Sequence, residues 1–276
     1  LTVIWYTAQF QALYFLKQTA RIDDNSANLI IGIAAAISSL FFIFFGWLSD
    51  RVGRKPPIVI GYALTLLLLF PVFNVIANAA NPALARAMDK APVTIANAAC
   101  GYDPFAKVQP TDCGRVLDHF SKQGIGYVKS AGEGPLTVTI GGRVIEGYAP
   151  DAFDDALRDA GYPGATDPKT GKWSVTSDPE TRNTPLIIAA VCVIGLLSGM
   201  TYGPVAALLV ELFPARVRYT SMSIPYHIGT GYFGGFLPLV SQYIVVKTGD
   251  AFAGLWYTYA VVGLAFLVSL FFLPET

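Results

Sequence analysis

Six uncharged apolar stretches restrict what this chain can fold into more than any other feature. They run over 1–16, 28–47, 58–76, 185–210, 222–246 and 252–273, and none holds a Lys, Arg, Asp or Glu. A helix that crosses the hydrocarbon core of a bilayer needs roughly 20 apolar residues. A surface helix of a soluble protein would instead show a polar face with the 3.6-residue helical period. These stretches are apolar all round. The composition agrees: 53% of the 276 residues are hydrophobic and 14% charged, whereas soluble domains carry about 25% charged residues. The chain reads as an all-α membrane protein with six transmembrane helices.

The charges are concentrated between the spans. Residues 77–183 hold 13 of the 19 acids and 11 of the 19 bases. The formal net charge is zero, which argues against nucleic-acid binding. Among the short loops, 48–57 carries Arg51, Arg54 and Lys55, and 211–220 carries Arg216 and Arg218. On the other side, Lys17 and Arg21 are offset by Asp23 and Asp24, and Lys247 by Asp250. The positive-inside rule puts 48–57, 211–220 and both chain ends in the cytoplasm. Residues 77–184 then form an extracytoplasmic insert between 1–76 and 185–276. The chain starts without Met inside "LTVIWYTAQFQALYFL", so we read it as part of a longer protein.

The insert is too long for a plain loop. "LTVTIGGRVIEGY" (136–148) alternates apolar and polar residues around Gly141-Gly142, a hairpin signature. "APDAFDDALRDAGYPG" offers Asp151 as an N-cap and Gly161 as a stop, and "TDCGRVLDHFSKQGIGY" reads as another short helix. A small α+β module is expected. Cys100 and Cys113, in an oxidising compartment, are expected to form a disulfide. Their spacing does not suit a zinc site, and His119 alone does not complete one.

The turn "GWLSDRVGRK" (46–55) resembles the signature loop of the major facilitator superfamily, through Gly46, Asp50, Arg51, Gly53, Arg54 and Lys55. "ELFPARVRYTSMSIPYHIG" (211–229) resembles the loop between helices ten and eleven of the metabolite:proton symporter branch. The terminal "LPET" is similar to the sugar-porter-like end of helix twelve. The resemblance implies that the spans correspond to helices seven to twelve, the C-terminal six-helix half of a twelve-helix fold.

Physical chemistry suggests what the turn does. Gly46 permits close helix approach. Asp50 can accept N–H groups at a helix start. Arg54 can fork onto Glu211, with Arg216 or Arg218 completing a cluster. Together with Arg51 and Gly53 these residues would form a cytoplasmic conformational latch. The bland alternative, that the bases only anchor topology, leaves Asp50 and Glu211 without a purpose.

Within the spans, "GTGYFGG" (229–235) has dinucleotide-site spacing, but it follows no strand and lies at membrane depth. Gly195, Gly199 and Gly203 recur every fourth residue, as do Gly231 and Gly235, a pattern for close helix packing. Gln9 and Tyr202 stand on helices that resemble cavity-lining members of the fold and are expected to contact substrate; interhelix hydrogen bonding is the alternative. His227 could carry a proton, bond a substrate carboxylate, or be structural.

The expectation is a secondary active transporter of a bacterial inner membrane, coupling protons to a small organic acid or zwitterion by alternating access. Its partners would be the substrate, the proton, the lipid bilayer and its own N-terminal half, with no cofactor, no metal and no enzymatic constellation. The coupling acid is expected in the N-terminal half, because no span here holds a carboxylate. A receptor whose insert binds a ligand is the alternative.

Overall fold

The computed structural model describes residues 2–96, 101–130, 134–168 and 170–275. Its membrane part is helical. A first helical stretch combines α1 (Thr2–Tyr6) and α2 (Ala12–Tyr14) with π-helical turns at Thr7–Gln11 and Phe15–Thr19. Then come α3 (Asp24–Val52) and α4 (Lys55–Ala80). After the insert follow α8 (Thr184–Tyr202), α9 (Val205–Leu212), α10 (Arg218–Ile228), a π-helical stretch (Gly229–Gly234), α11 (Leu237–Thr248) and α12 (Leu255–Phe272).

Among the described residues, four helical segments are long and apolar enough to cross a membrane: α3, α4, Thr184–Leu212 and α12. The remaining two expected spans are helical but interrupted by π turns; in the second, Pro225 lies within α10 and Pro238 in the first turn of α11. Along α3, Leu29, Ile33, Ile37, Leu40, Phe44 and Trp47 are all exposed, three or four residues apart. An exposed apolar stripe of this length suits lipid and would be an aggregation hazard in water. These apolar helices mark an integral membrane protein.

α8 is the central helix, packed on both α3 and α4. A Cβ on Gly199 would lie 3.0 Å from the Phe41 backbone carbon, and one on Gly203 3.0 Å from the Phe42 carbonyl oxygen. From the α4 side, a Cβ on Gly61 would lie 2.6 Å from Thr201 Cγ2. In α8 the glycine periodicity thus marks close helix approach, as expected. A Cβ at Gly231, by contrast, would meet nothing within 4 Å, and one at Gly235 would meet first the Gly231 carbonyl of its own helical stretch, so that pair marks no contact with a neighbouring helix. Phe15, Phe73, Ile76, Ile187 and Ile194 fill the core beside it.

The insert comprises α5 (Pro82–Lys90), β1 (Val93–Ala96), α6 (Asp112–Lys122), β2 (Tyr127–Ser130), β3 (Thr137–Ile140), β4 (Arg143–Glu146), α7 (Pro150–Asp159), β5 (Gly164–Thr166) and β6 (Trp173–Val175). One sheet has the order β2-β1-β3-β4, with β1–β2 parallel and the other pairs antiparallel. β5 and β6 form a separate antiparallel pair. The hairpin pairs Ile140 with Arg143, leaving Gly141 and Gly142 as a two-residue turn with φ of 54° and 89°. Positive φ at both positions is what such a turn demands. Thr111 caps α6 by accepting from the Gly114 N–H at 3.0 Å. Asp151 does not cap α7: the helix begins one residue earlier, because Pro150 at its first position pre-sets φ, and Asp151 falls in the first turn. Gly161 ends that region at φ 85°. Of the expected disulfide, Cys113 lies near the start of α6, whereas Cys100 lies outside the described residues.

The insert is bolted to the helix ends. The Tyr127 N–H donates to the Gly249 carbonyl at 2.9 Å, Asn81 Nδ2 to the Ala20 carbonyl at 3.1 Å, and the Ser177 N–H to the Arg21 carbonyl at 2.9 Å. Val246 of α11 sits in the insert's own core.

Candidate functional site

α4 is 26 residues long, about 39 Å at 1.5 Å per residue, and the insert follows directly from its C-terminal end. At its other end lies a charged knot. Arg54 Nη2 and Nε donate to Glu211 Oε1 and Oε2 at 3.0 and 3.3 Å, a two-pronged fork. Arg54 Nη1 also donates to Asp50 Oδ1 at 2.5 Å and to Ser49 Oγ at 2.8 Å. Ser49, fully buried, in turn donates to the Gly46 carbonyl at 2.7 Å. The Arg54 side chain is only 12% exposed, against 35% for Glu211 and 62% for Asp50. The fork joins the turn after α3 to the end of α9.

A second carboxylate closes the knot. Glu275 accepts from the Lys55 N–H at 3.4 Å, at the start of α4 where the helix dipole favours an anion. Gly53 has φ 93°, and a Cβ there would lie 2.2 Å from Glu275 Oε1. Left-handed backbone and close approach both select glycine at this position.

The structure therefore brings Gly46, Asp50, Gly53, Arg54 and Glu211 together and adds Ser49 and Glu275. The other three expected members stand apart. The Arg51 guanidinium lies 4.1 Å from the centre of the Trp47 ring. Arg218 donates to the Phe213 carbonyl at 3.1 Å. Arg216 makes no ion pair among the described residues. The carboxylate at a helix start is Glu275, while Asp50 bonds the Arg54 side chain. Ser49 was visible within the motif and Glu275 within "LPET", but neither residue type announces a partner.

Deeper along the helices, the Tyr202 and Tyr226 hydroxyls meet at 2.8 Å. They stand between two adjoining cavities. One, of about 370 Å³, is walled by Thr2, Val3, Phe233 and Val261, among others. Its neighbour, of about 310 Å³, is walled by Leu209, Tyr219, Ser223 and His227. Both walls are mainly apolar, and the phenol pair supplies the polar handle. Tyr202 and His227 thus share a cavity. Gln9 lines neither of these two cavities; it is half-buried within the first π turn.

Stretches of this chain are similar to known transport proteins. The chain is 37% identical over 93 residues to the inner membrane metabolite transport protein YhjE of Escherichia coli, a match over 33% of this chain and 21% of that protein. It is 36% identical over 84 residues to the citrate-proton symporter of Klebsiella pneumoniae, over 29% of this chain and 19% of that protein. It is 30% identical over 86 residues to a putative proline/betaine transporter of Staphylococcus aureus, over 31% and 18%. The matched stretch is about a fifth of each relative's length. No family model and no solved structure matches. The names bear out the resemblance to metabolite and proton-symport transporters read from the loop motifs.

Proposed function

We propose that this chain is the C-terminal half of a proton-coupled secondary transporter that moves a small organic acid or zwitterion by alternating access. The observation that carries the reading is the Arg54–Glu211 fork with Asp50 and Glu275 around it. It ties two loops and the last helix together at the end of the bundle opposite the insert. A charge network of this kind has two discrete states, joined or parted, and suits a transporter that must close and open one face. Positive-inside charge puts the knot in the cytoplasm and the insert outside.

The two interrupted spans complete six. Tyr226, Tyr232, Phe233 and Phe236 are exposed on one of them, and we assign this aromatic face to packing against the N-terminal half and to walling the solute route. π turns in both interrupted helices support the assignment, since such turns recur at functional sites. Tyr202, with Tyr226, would donate to a solute oxygen, and His227 would bond a carboxylate or pass a proton. Gln9 would reach the route only in another conformation. The relatives quoted are transporters and give the receptor reading no support. The test is uptake: full-length protein in proteoliposomes should accumulate labelled citrate or betaine against its gradient when the outside is acidified. Equilibration without accumulation, for every solute in such a panel, would contradict the proposal.

A further inference from the structure

Between α6 of the insert and the outer ends of the first helical stretch and α11 lies a cleft of about 560 Å³. Its wall includes Gln18, Arg21, Asp118, Lys122, Gln242 and Tyr243, so both the insert and the membrane helices build it. A second cleft of about 400 Å³, also walled by α6, shares Arg21, Asp118 and Lys122. Volumes of this order suit small solutes.

The charges in the shared wall are not equally occupied. Lys122 Nζ is held by Asp118 Oδ2 at 2.6 Å, and Asp118 Oδ1 also takes the Tyr102 hydroxyl at 3.4 Å. Arg21 makes no ion pair among the described residues. Among the described residues only its Nε is engaged, donating to the Val175 carbonyl at 3.1 Å. That bond fixes the plane of the guanidinium while the two terminal nitrogens remain for another acceptor. Arg21 is also the one non-glycine residue with positive φ among the described residues, at 59°. This backbone is held by Ser177, whose N–H donates to the Arg21 carbonyl at 2.9 Å. A left-handed conformation is unfavourable for a non-glycine residue, and such strain concentrates at functional sites.

We propose that this cleft is a carboxylate-binding site at the outer mouth, with the Arg21 guanidinium forking onto the carboxylate and Gln18 and Gln242 supplying amide donors. The planar fork matches a carboxylate in two parallel hydrogen bonds, which an ammonium cannot reproduce. An anion also relieves a half-buried cation. Burial depresses the Arg21 pKa, and the attraction of Asp24 only partly offsets it. The insert would thus select carboxylate-bearing solutes before they reach the tyrosine-walled cavity. This selective role rests on the transport reading; binding itself does not.

The experiment is therefore done without a gradient. Full-length protein in detergent is treated with phenylglyoxal, which modifies accessible guanidiniums, and Arg21 modification is followed by peptide mass spectrometry. Citrate and succinate should slow modification of Arg21 at least fivefold, whereas sorbitol should not. Arg21→Lys and, as a variant that leaves the Arg21 contacts intact, Gln242→Leu should each weaken succinate binding about tenfold. Unchanged labelling with either acid would overturn the proposal. Equal protection by sulfate would replace carboxylate recognition with a general anion site and overturn it as well. Uptake without protection would sink this site and leave the transport proposal standing.

Discussion

Replacing Glu211 by Gln keeps the size of the side chain and removes the charge that meets both prongs of the Arg54 fork. Exposed ion pairs contribute only ~0–1 kcal/mol, and hydrogen bonds to charged groups about 1.5–3 kcal/mol. Arg54 is 12% exposed but Glu211 is 35% exposed, so solvent screening places this pair between the two, at about 1–2 kcal/mol. A loss of that size shifts a two-state equilibrium roughly 5- to 30-fold. Asp50 is 62% exposed, so Asp50→Asn should shift it only a few-fold. The assay is a distance between spin labels at the ends of α3 and α9 in the full-length protein, with solute affinity measured separately in a state-locked form. Glu211→Gln should populate the form with the knot parted, Asp50→Asn should do so less, and locked-state affinity should stay constant. Equal effects of the two variants, or no shift with either, would refute the reasoning that burial ranks these charges.

Three further outcomes follow from the packing and the insert. Gly199→Ala would drive a methyl to 2.8 Å from the Phe41 Cβ and 3.0–3.2 Å from its backbone carbonyl, whereas a Cβ at Gly229 meets nothing within 4 Å; by thermal melting the first should cost about 1–3 kcal/mol and the second far less. Peptide mapping without reductant should recover Cys100 joined to Cys113, and reduction should destabilise the insert by roughly 3 kcal/mol; alkylation of Cys100 in native, unreduced protein would contradict the link. His119 lies 3.1 Å from Asp154, beside Gln123, and burial lowers the His119 pKa while raising that of Asp154. Below about pH 6.5 the unfolded chain therefore binds more protons at His119 than the folded insert, so stability should fall as pH drops from 7 through that range, with Asp154 acting in the opposite sense nearer pH 4. Urea titrations at pH 7.5 and 5.5 should show this loss, and His119→Gln should flatten it.

The four long apolar helices were legible because absence of charge over a bilayer's thickness has few alternative explanations. The 141–142 turn was legible because paired glycines with flanking alternation require little context. Arg54 and Glu211 could be paired because the loop charges put them on one side of the membrane, but charge alone does not give side-chain direction. Arg218 turned instead to the Phe213 carbonyl, and Arg51 to the Trp47 ring. The π turns left no sequence signal, and each inserts a residue that rotates the following face by roughly 100°. That is why Gln9 could not be assigned to a wall from spacing. Arg21 was equally hidden, since nothing in "QTARIDD" marks a left-handed backbone that the docked insert imposes.

The proposed transport function turns on coupling of solute to proton movement. The most direct measurement uses lightly buffered proteoliposomes of the full-length protein, with internal pH read by a trapped dye and no gradient imposed. Adding citrate or betaine outside should acidify the interior, in proportion to solute entry, and a protonophore should abolish the signal. Entry of the solute with no change of internal pH would contradict proton coupling.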